Sequence, residues 1–413
     1  MENQNKKVNF WKITTLLLLV ILVASCVYLL RSNKLNLTTT STSSTNAAVE
    51  ADAAENQNVN AEPTAQQAAI EHNELITERI TPSPALKYQD TEDPLSLWSE
   101  SSALKTELTD YLSKITDPNS SDFIPKDNRI AVFDFDGTLF CETNPVYMDH
   151  RLLYHRVVED ETYKDKASDF EKEVAEKIKV YMETGKADDN LPMEHGKSVA
   201  SAFKGMTQEE LISYIKDYLN NDEPNYTNKK MKDGYYQPMV QVVDLLNKNG
   251  FTVYVVSGTD RFLTRAFVEG GLNIPPRQVI GSDDLLVATG QGDTDGLDYQ
   301  LKADDKVFLE GEFQIKNLKI NKVKVIEREI GVKPVLSFGN SSGDYSMAMY
   351  TTTGNKYLSK AYMLCCDDLD RENGNLEKAE DMYKKCDAEG WTPISMRDDF
   401  LTIYGYDVEY IKK

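Results

Sequence analysis

The chain is predicted to be an α/β protein with a doubly wound parallel sheet and an inserted helical domain. Two observations predict this class. Short apolar runs that end in Asp, Ser or Gly alternate with amphipathic helical stretches, the pattern of strands buried on both faces of a parallel sheet. A stretch of roughly 100 residues without strand-like alternation separates the first apolar run from the second. An N-terminal anchor and a disordered stalk are expected to precede this core.

The anchor is predicted over residues 1–35. Three lysines precede an apolar run at 13–30, and about 18 residues is the lower limit for crossing a bilayer. We favour an uncleaved membrane anchor. The first alternative is a lipoprotein acylated at Cys26, because Val23-Ala24-Ser25-Cys26 resembles a bacterial lipobox, and ordinary secretion after cleavage of a signal comes last. In all three cases the rest of the chain is expected outside the cytoplasm.

The stalk is predicted over residues 36–84, which are rich in Ser, Thr, Asn and Ala and almost free of large apolar residues. Such a segment buries too little surface to offset its ordering entropy. We expect the catalytic core at 85–140 and 234–413, and a helical cap at 141–233. The net charge of −21 argues against nucleic acid as a partner, and the sequence predicts no oligomeric state.

The decisive stretch is Ile130–Leu139, where an apolar run ends in Asp134-Phe135-Asp136-Gly137-Thr138. Side chains alternate along an extended chain, so Asp134 and Asp136 can point the same way from the end of the strand. Two close carboxylates repel unless a proton or a hard cation such as Mg²⁺ relieves them. This pair suits nucleophilic catalysis with a second carboxylate as acid and base. The alternatives are an acidic turn, or a calcium loop that lacks its remaining ligands.

Three later stretches offer matching chemistry. A helix at 238–250 and a strand at 251–256 lead into Ser257-Gly258, whose hydroxyl and backbone N–H groups can bind phosphate. Lys322 and Lys324 compete for the role of a cation that neutralises a phosphoryl oxygen. A strand then ends in a Gly-rich loop that carries Asn340 and Asp344, oxygen ligands suited to a metal ion. We expect all four pieces to lie at the ends of strands.

Together these four pieces resemble the haloacid dehalogenase superfamily of aspartate-nucleophile phosphatases, nearest to its phosphoserine-phosphatase-like branch with a helical cap. The resemblance runs from about Leu97 to the C-terminus and implies Mg²⁺-dependent phosphoryl transfer to an aspartate. It implies that Asp134 is the nucleophile and Asp136 the acid and base, while Thr138 positions their loop. Ser257 and Gly258 are implied to bind phosphate.

The same resemblance assigns the cation and the metal ligands. It favours Lys322 over Lys324, and it implies that Asp134, the Asp136 backbone carbonyl, Asn340 and Asp344 hold Mg²⁺. Asn340 departs from the commonest pattern, in which an aspartate follows the glycine, so this site carries one negative charge fewer.

We therefore expect a membrane-tethered phosphatase that hydrolyses a small phosphomonoester, such as phosphoserine or phosphocholine, through a phospho-aspartyl intermediate. The alternatives are another hydrolase or phosphotransferase on the same scaffold, with dehalogenation as a weaker case, and a non-catalytic surface binding protein.

Several further residues receive structural predictions. His150 and His155 lie five apart, without the spacing of a metal site, and are predicted to be structural. Packing or surface roles are favoured over substrate contact for a group near the end of the cap and after the second strand: Tyr235, Tyr236, Gln237 and Arg265. Cys386 has the option of pairing with Cys365 or Cys366, although free buried thiols are the preferred reading.

Overall fold

A computed structural model describes residues 81–90, 92–143 and 146–411 of the chain. The predicted anchor and almost all of the predicted stalk lie outside the described residues. Within the described ranges no helix is both long enough and apolar enough to cross a membrane.

Seven strands form one sheet: β1 (Ile130–Phe133), β2 (Thr252–Asp260), β3 (Val279–Ala288), β4 (Val307–Ile315), β5 (Leu336–Gly339), β6 (Lys360–Cys365) and β7 (Thr392–Ser395). Their order is β4-β3-β2-β1-β5-β6-β7. Every neighbouring pair is parallel except β3 and β4, which are antiparallel. The predicted α/β class is confirmed. Strands β3 and β4 had no counterpart in the sequence interpretation.

Helices cover both faces of the sheet, so it is doubly wound. The helices outside the 141–233 segment are α1 (Ala103–Thr116), α6 (Gln237–Lys248), α7 (Arg261–Val268), α8 (Ile320–Val325), α9 (Tyr345–Thr352) and α10 (Leu376–Glu389). Ala131 and Phe133 of β1 share one apolar cluster with residues of α1 and α6. Ile130 and Val132 face the opposite side, in a cluster with α8 and α9. This alternation is what a strand buried on both faces requires.

Stacked aromatic rings on three neighbouring strands pack across the centre of the sheet. The rings of Phe133 and Phe338 stack with centroids 4.1 Å apart, and Phe338 stacks on Tyr362 at 5.1 Å. Phe133 is paired with Phe338, and Phe338 with Tyr362, in the register of β1, β5 and β6. The register brings the carboxyl ends of β1 and β5 side by side, where Asp134 N–H donates to the Phe338 carbonyl at 2.9 Å.

Four α-helices lie in the 141–233 segment, between β1 and α6: α2 (Met148–Tyr154), α3 (Asp169–Thr184), α4 (Leu191–Ala202) and α5 (Gln208–Leu219). The sequence predicted two long helical runs here, and each is divided into two helices. The second helix of each run, α3 or α5, begins at a capping box. The Ser168 hydroxyl accepts the backbone N–H of the third residue of α3, and the Thr207 hydroxyl accepts that of the third residue of α5.

Two predicted boundaries are wrong. The helical spacing of the apolar residues from Leu97 to Ile115 predicts a helix over that stretch, but α1 begins only at Ala103. Trp98 lies outside it and donates its indole N–H to the Pro238 carbonyl at 2.9 Å. The second strand continues past Val256 to Asp260, since Asp260 pairs with Ser282 of β3 after an irregularity in the register.

The placement of Lys322 at the end of a strand is also wrong. Lys322 is the third residue of α8, and the strand before it, β4, ends at Ile315. The Lys322 side chain therefore reaches the site from helix α8. Asp134 and Asn340, in contrast, directly follow β1 and β5.

Candidate active site

Asp134 and Asp344 are bridged by one buried ammonium group. Lys322 Nζ donates to Asp134 Oδ1 at 2.5 Å and to Asp344 Oδ1 at 2.6 Å, and its side chain is 1 % exposed. Burial lowers the pKa of Lys322, but the two carboxylates outweigh it and raise the pKa overall, so the ammonium stays charged. Of the two competing lysines the structure brings in Lys322, while Lys324 is exposed and donates to Asn321.

The Asp344 carboxylate is fixed by its own loop. Its Oδ2 accepts the backbone N–H groups of Asn340 and Ser341 at 3.0 and 3.1 Å. A Cβ on Gly339 would lie 2.5 Å from the Asp344 Cβ, so only glycine lets β5 approach this side chain so closely. Burial, then repulsion from Asp344, raises the pKa of Asp134 to about 7.

Asp136 is held by a hydroxyl from β2. Thr259 Oγ1 lies 2.8 Å from Asp136 Oδ2 and 3.0 Å from Asp149 Oδ2. Because the hydroxyl has one proton, it can donate to only one of these carboxylates and must accept from the other. Burial, followed by repulsion from Asp149 and Asp134, raises the pKa of Asp136 well above its usual range. Asp136 is therefore the partner that carries the proton, which is the state a general acid needs.

The turn after Asp136 meets the loop after β5. Gly137 has φ +75°, and a Cβ there would fall 2.0 Å from Asn340 Nδ2. Thr138 Oγ1 donates to Asn340 Oδ1 at 3.4 Å. Glu142 lies against the same turn, and burial raises its pKa to about 7 despite a hydrogen bond from Asn340.

These side chains open into a cavity of about 230 Å³. Its floor consists of residues from the sheet edge and from the segment after β4: Asp134, Asp136, Gly258, Thr259, Lys316, Leu318, Lys322, Ser341 and Asp344. Its other walls come from the segment after β1 and from α2, α3 and α4: Glu142, Tyr147, Asp149, His150, Tyr181, Ala187, Leu191 and Pro192. The carboxyl groups of Asp134, Asp136 and Asp344 and the Lys322 ammonium therefore lie together on one side of the cavity. The opposite walls are mainly aromatic and apolar.

The sequence profile of the haloacid dehalogenase-like hydrolases matches residues 131–349, more than half of the chain and all four loops of the site. The chain belongs to this family. The predicted family and the prediction of an enzyme are thereby confirmed.

Three solved structures are similar to this hydrolase, at low identity. A conserved protein of unknown function from Anaerococcus prevotii is 15 % identical, over 71 % of this chain and 91 % of its own, with a TM-score of 0.44. A phosphoserine phosphohydrolase-like protein from Francisella tularensis is 16 % identical, over 57 % and 87 %, with a TM-score of 0.31. Cytosolic 5′-nucleotidase IIIB bound to cytidine is 11 % identical, over 75 % and 92 %, with a TM-score of 0.43. No curated protein sequence matches the chain.

Ser257 is placed differently from its neighbours. Its side chain is fully buried, and its Oγ accepts the Thr259 N–H at 3.0 Å. Gly258 and Thr259 line the cavity, whereas Ser257 does not. A Cβ on Gly258 would lie 2.5 Å from a methyl of Leu318. Glycine is therefore needed where the segment between β4 and α8 passes close to β2.

Sequence reasoning missed the residues that line the cavity from outside the four loops. Thr259 had a usable signal, because it directly follows Ser257-Gly258 at the carboxyl end of the same strand, the edge where ligands bind in such sheets. Lys316 and Glu142 had none. His150 was predicted to be structural, yet it lines the cavity wall. His155 is at the surface beside Glu159, 2.9 Å away.

Four residues predicted to pack rather than to contact substrate do not line the cavity. Tyr235 donates its hydroxyl to the Phe267 carbonyl, Gln237 accepts the Lys87 N–H at 2.8 Å, and Arg265 donates to Gln208 at 3.1 Å. Tyr236 is buried. The four described cysteines, Cys141, Cys365, Cys366 and Cys386, are free thiols.

The predicted ligands fit a hard divalent cation. Asp134 Oδ1 and Asp344 Oδ1 converge on one positive charge, the Lys322 ammonium. The amide oxygen of Asn340 is on the same loop as Asp344 and accepts the Thr138 hydroxyl. All of these donors are oxygens, which Mg²⁺ prefers. A chemically different group, Asp149, His150 and His195, has donor atoms within 4.8 Å of one another.

Proposed function

We propose that this hydrolase is a Mg²⁺-dependent phosphomonoesterase that transfers the phosphoryl group to Asp134 and then to water. The observation that carries the proposal is the pairing of Lys322 with Asp134 and Asp344 beside Asp136, which is buried and hydrogen-bonded to Thr259. Burial raises the pKa of Asp136 and so favours the protonated form that a general acid needs. Phosphoryl transfer needs a positioned nucleophile, a cation for the developing charge and a proton for the leaving oxygen. This site supplies all three.

In the first step an Asp134 oxygen attacks phosphorus and the ester P–O bond breaks. The leaving oxygen takes the proton from Asp136, so the alcohol departs neutral. In the second step the Asp136 carboxylate removes a proton from water, whose oxygen attacks the phosphorus of the acyl phosphate and releases Asp134. Lys322 neutralises charge on Asp134 and on the phosphoryl oxygens throughout. Mg²⁺, held by Asp134, Asp344, Asn340 and the Asp136 carbonyl, would supply further positive charge at those oxygens.

The size of the cavity favours a compact substrate. Pockets for drug-sized ligands have volumes of about 300–1,000 Å³, and this cavity has about 230 Å³. With the phosphoryl group on the polar floor, the leaving group meets Tyr147, Tyr181, Leu191 and Pro192. These contacts favour a small phosphomonoester over a bulky one, and the two tyrosine rings suit a leaving group such as the trimethylammonium cation of phosphocholine.

The experiment is an assay of the purified full chain with p-nitrophenyl phosphate, with and without Mg²⁺. Asp134→Asn should reduce turnover by at least about 10⁴-fold, because the amide is a far weaker nucleophile. Asp110→Asn on the exposed face of α1 is the control and should leave the rate unchanged. Undiminished turnover by Asp134→Asn would exclude the nucleophile assignment, and a wild-type chain inactive on a panel of phosphomonoesters would exclude the function.

We also propose that residues 1–35 tether the enzyme to a membrane and that its folded part faces outward. The support is the apolar run at 13–30 and the stalk composition of 36–84. Cell fractionation followed by labelling with a palmitate analogue tests this. A membrane-bound chain whose label is lost in Cys26→Ser is a lipoprotein, an unlabelled membrane-bound chain has an uncleaved anchor, and a chain in the cytosol contradicts the proposal.

A further inference from the structure

Two histidines and an aspartate form a buried cluster on the cavity wall. Asp149 and His150 are in the first turn of α2, and His195 is in α4. His150 Nδ1 lies 2.8 Å from Asp149 Oδ1, and His195 Nδ1 lies 3.8 Å from Asp149 Oδ2. The two imidazole rings stack with centroids 3.9 Å apart. The cluster therefore joins two helices that are more than forty residues apart in the sequence.

His195 has no hydrogen-bond partner for its ring in the part of the chain that the structure describes. The residue is 2 % exposed, and neither Nδ1 nor Nε2 reaches a hydrogen-bond partner. Burial and then repulsion from His150 lower the pKa of His195 to about 3, although Asp149 opposes the shift. The ring is neutral at pH 7 and has a free lone pair on one nitrogen. A buried polar group in this state is unfavourable unless something binds it.

We propose that Asp149, His150 and His195 bind a divalent transition-metal ion of the Zn²⁺ type. Two imidazoles and a carboxylate are the donor set that Zn²⁺ uses, whereas the Asp134 site offers oxygens alone. The donor atoms lie within 4.8 Å of one another. Bonds of about 2.0–2.2 Å require the donor atoms to draw closer. Because imidazole lone pairs lie in the plane of the ring, one of the two stacked rings must also rotate to face the ion, and the ion replaces the proton between His150 and Asp149.

The charges around the cluster allow a cation to bind. Lys316 is near Asp149 and His195 and opposes a second positive charge. Asp136, Asp260 and Asp284 surround the same lysine. The carboxyl groups outnumber the ammonium. Burial and then repulsion from Asp260 raise the pKa of Asp284 to about 9, so this carboxyl, like that of Asp136, whose pKa is also raised, gains its negative charge only when a bound cation displaces its proton.

Binding would fasten α2 to α4 on the wall of the cavity. No ligand is shared with the proposed Mg²⁺ site, although Thr259 connects Asp149 to Asp136. The inference does not depend on phosphatase activity, because its test measures binding.

The test is a Zn²⁺ titration of the metal-stripped full chain against a chromophoric chelator, with excess Mg²⁺ present to fill the oxygen site. Wild type should take up one tightly bound Zn²⁺. His195→Ala should bind at least about 100-fold more weakly, since one of three protein ligands is lost. His155→Ala is the matched control, because its ring is 30 % exposed and lies one turn further along the same helical segment, and it should bind like wild type.

A measurement on the wild type alone guards against misfolding of the variants. X-ray absorption of the Zn²⁺-loaded chain should show scattering from two imidazole rings. Absence of stoichiometric binding, absence of imidazole scattering, or equal weakening by His155→Ala and His195→Ala would each overturn the proposal. Asp344→Asn should leave Zn²⁺ uptake unchanged, and loss of uptake in that variant would show that the ion occupies the other site.

Discussion

Replacing Lys322 by methionine removes the charge and keeps most of the side-chain volume. The ammonium lies 2.5 Å from Asp134 Oδ1 and 2.6 Å from Asp344 Oδ1. At an effective dielectric constant of about 20, each contact is worth about 6 kcal/mol of Coulomb energy. Much of that is offset by the desolvation of three charges, and removing one member of a buried pair typically costs about 3–5 kcal/mol in the free energy of unfolding.

This loss of stability should lower the melting temperature. About 330 residues are folded here, and an unfolding entropy of about 2.1 cal/mol/K per residue turns 3–5 kcal/mol into about 4–7 °C. Turnover should fall by at least about 10²–10³-fold, because the cation that stabilises the transition state is gone. Mg²⁺ should raise the melting temperature of Lys322→Met more than that of wild type, since two carboxylates are left without their counter-ion.

Scanning calorimetry with and without Mg²⁺ and an aryl phosphate assay measure these effects. Lys324→Met is the matched control, two residues further along the same helix with an exposed ammonium. It should change the melting temperature and the rate little. If Lys322→Met melts and turns over like Lys324→Met, the convergence of both carboxylates on Lys322 is refuted.

Two further predictions concern charge at the same site. Asn340→Asp should tighten Mg²⁺ binding roughly 3–10-fold by calorimetric titration, because it restores a negative ligand; unchanged or weaker binding would show that Asn340 is not a ligand. The metal-free chain should lose about 2–4 kcal/mol of unfolding free energy as pH rises from about 4 to 7. Burial raises the pKa of Asp134 to about 7 in the folded state. Between these pH values the folded state therefore binds more protons than the unfolded state, and stability falls as pH rises. Urea unfolding in chelator measures this, and stability that rises over that range contradicts it.

The four loops of the candidate site could be predicted from the sequence because each is encoded by a short local stretch of residues. An apolar run followed by Asp134 and Asp136 predicts a buried strand with carboxylates at its end, and the fold contains that strand at Ile130–Phe133. The Gly-rich loop with Asn340 and Asp344 follows β5 in the same way. Parallel strands align their carboxyl ends, so residues more than 200 positions apart were expected to meet before any coordinates were known.

Strands β3 and β4 and the length of β2 were not predicted. Asp283 and Asp284 interrupt the apolar pattern of β3, and β4 is an edge strand whose residues are mostly half-exposed. Such strands are defined by their neighbours rather than by their own composition. Lys322 is a similar case. The sequence predicted that this lysine, rather than Lys324, enters the site, but not that it lies in a helix. The packing of Val325 and Ile326 against the sheet places it there.

Short motifs at the ends of strands carry their information locally, so the family, the α/β class and the chemistry of the four loops could be inferred from the order of residues alone. Three features could not: the identity of the side chains that line the cavity opposite the sheet edge, the bridge from Thr259 to Asp136 and Asp149, and the burial of His195 against His150. These contacts join helices and strands that are far apart in the chain, and helix packing, which depends on the shape of whole surfaces, fixes them.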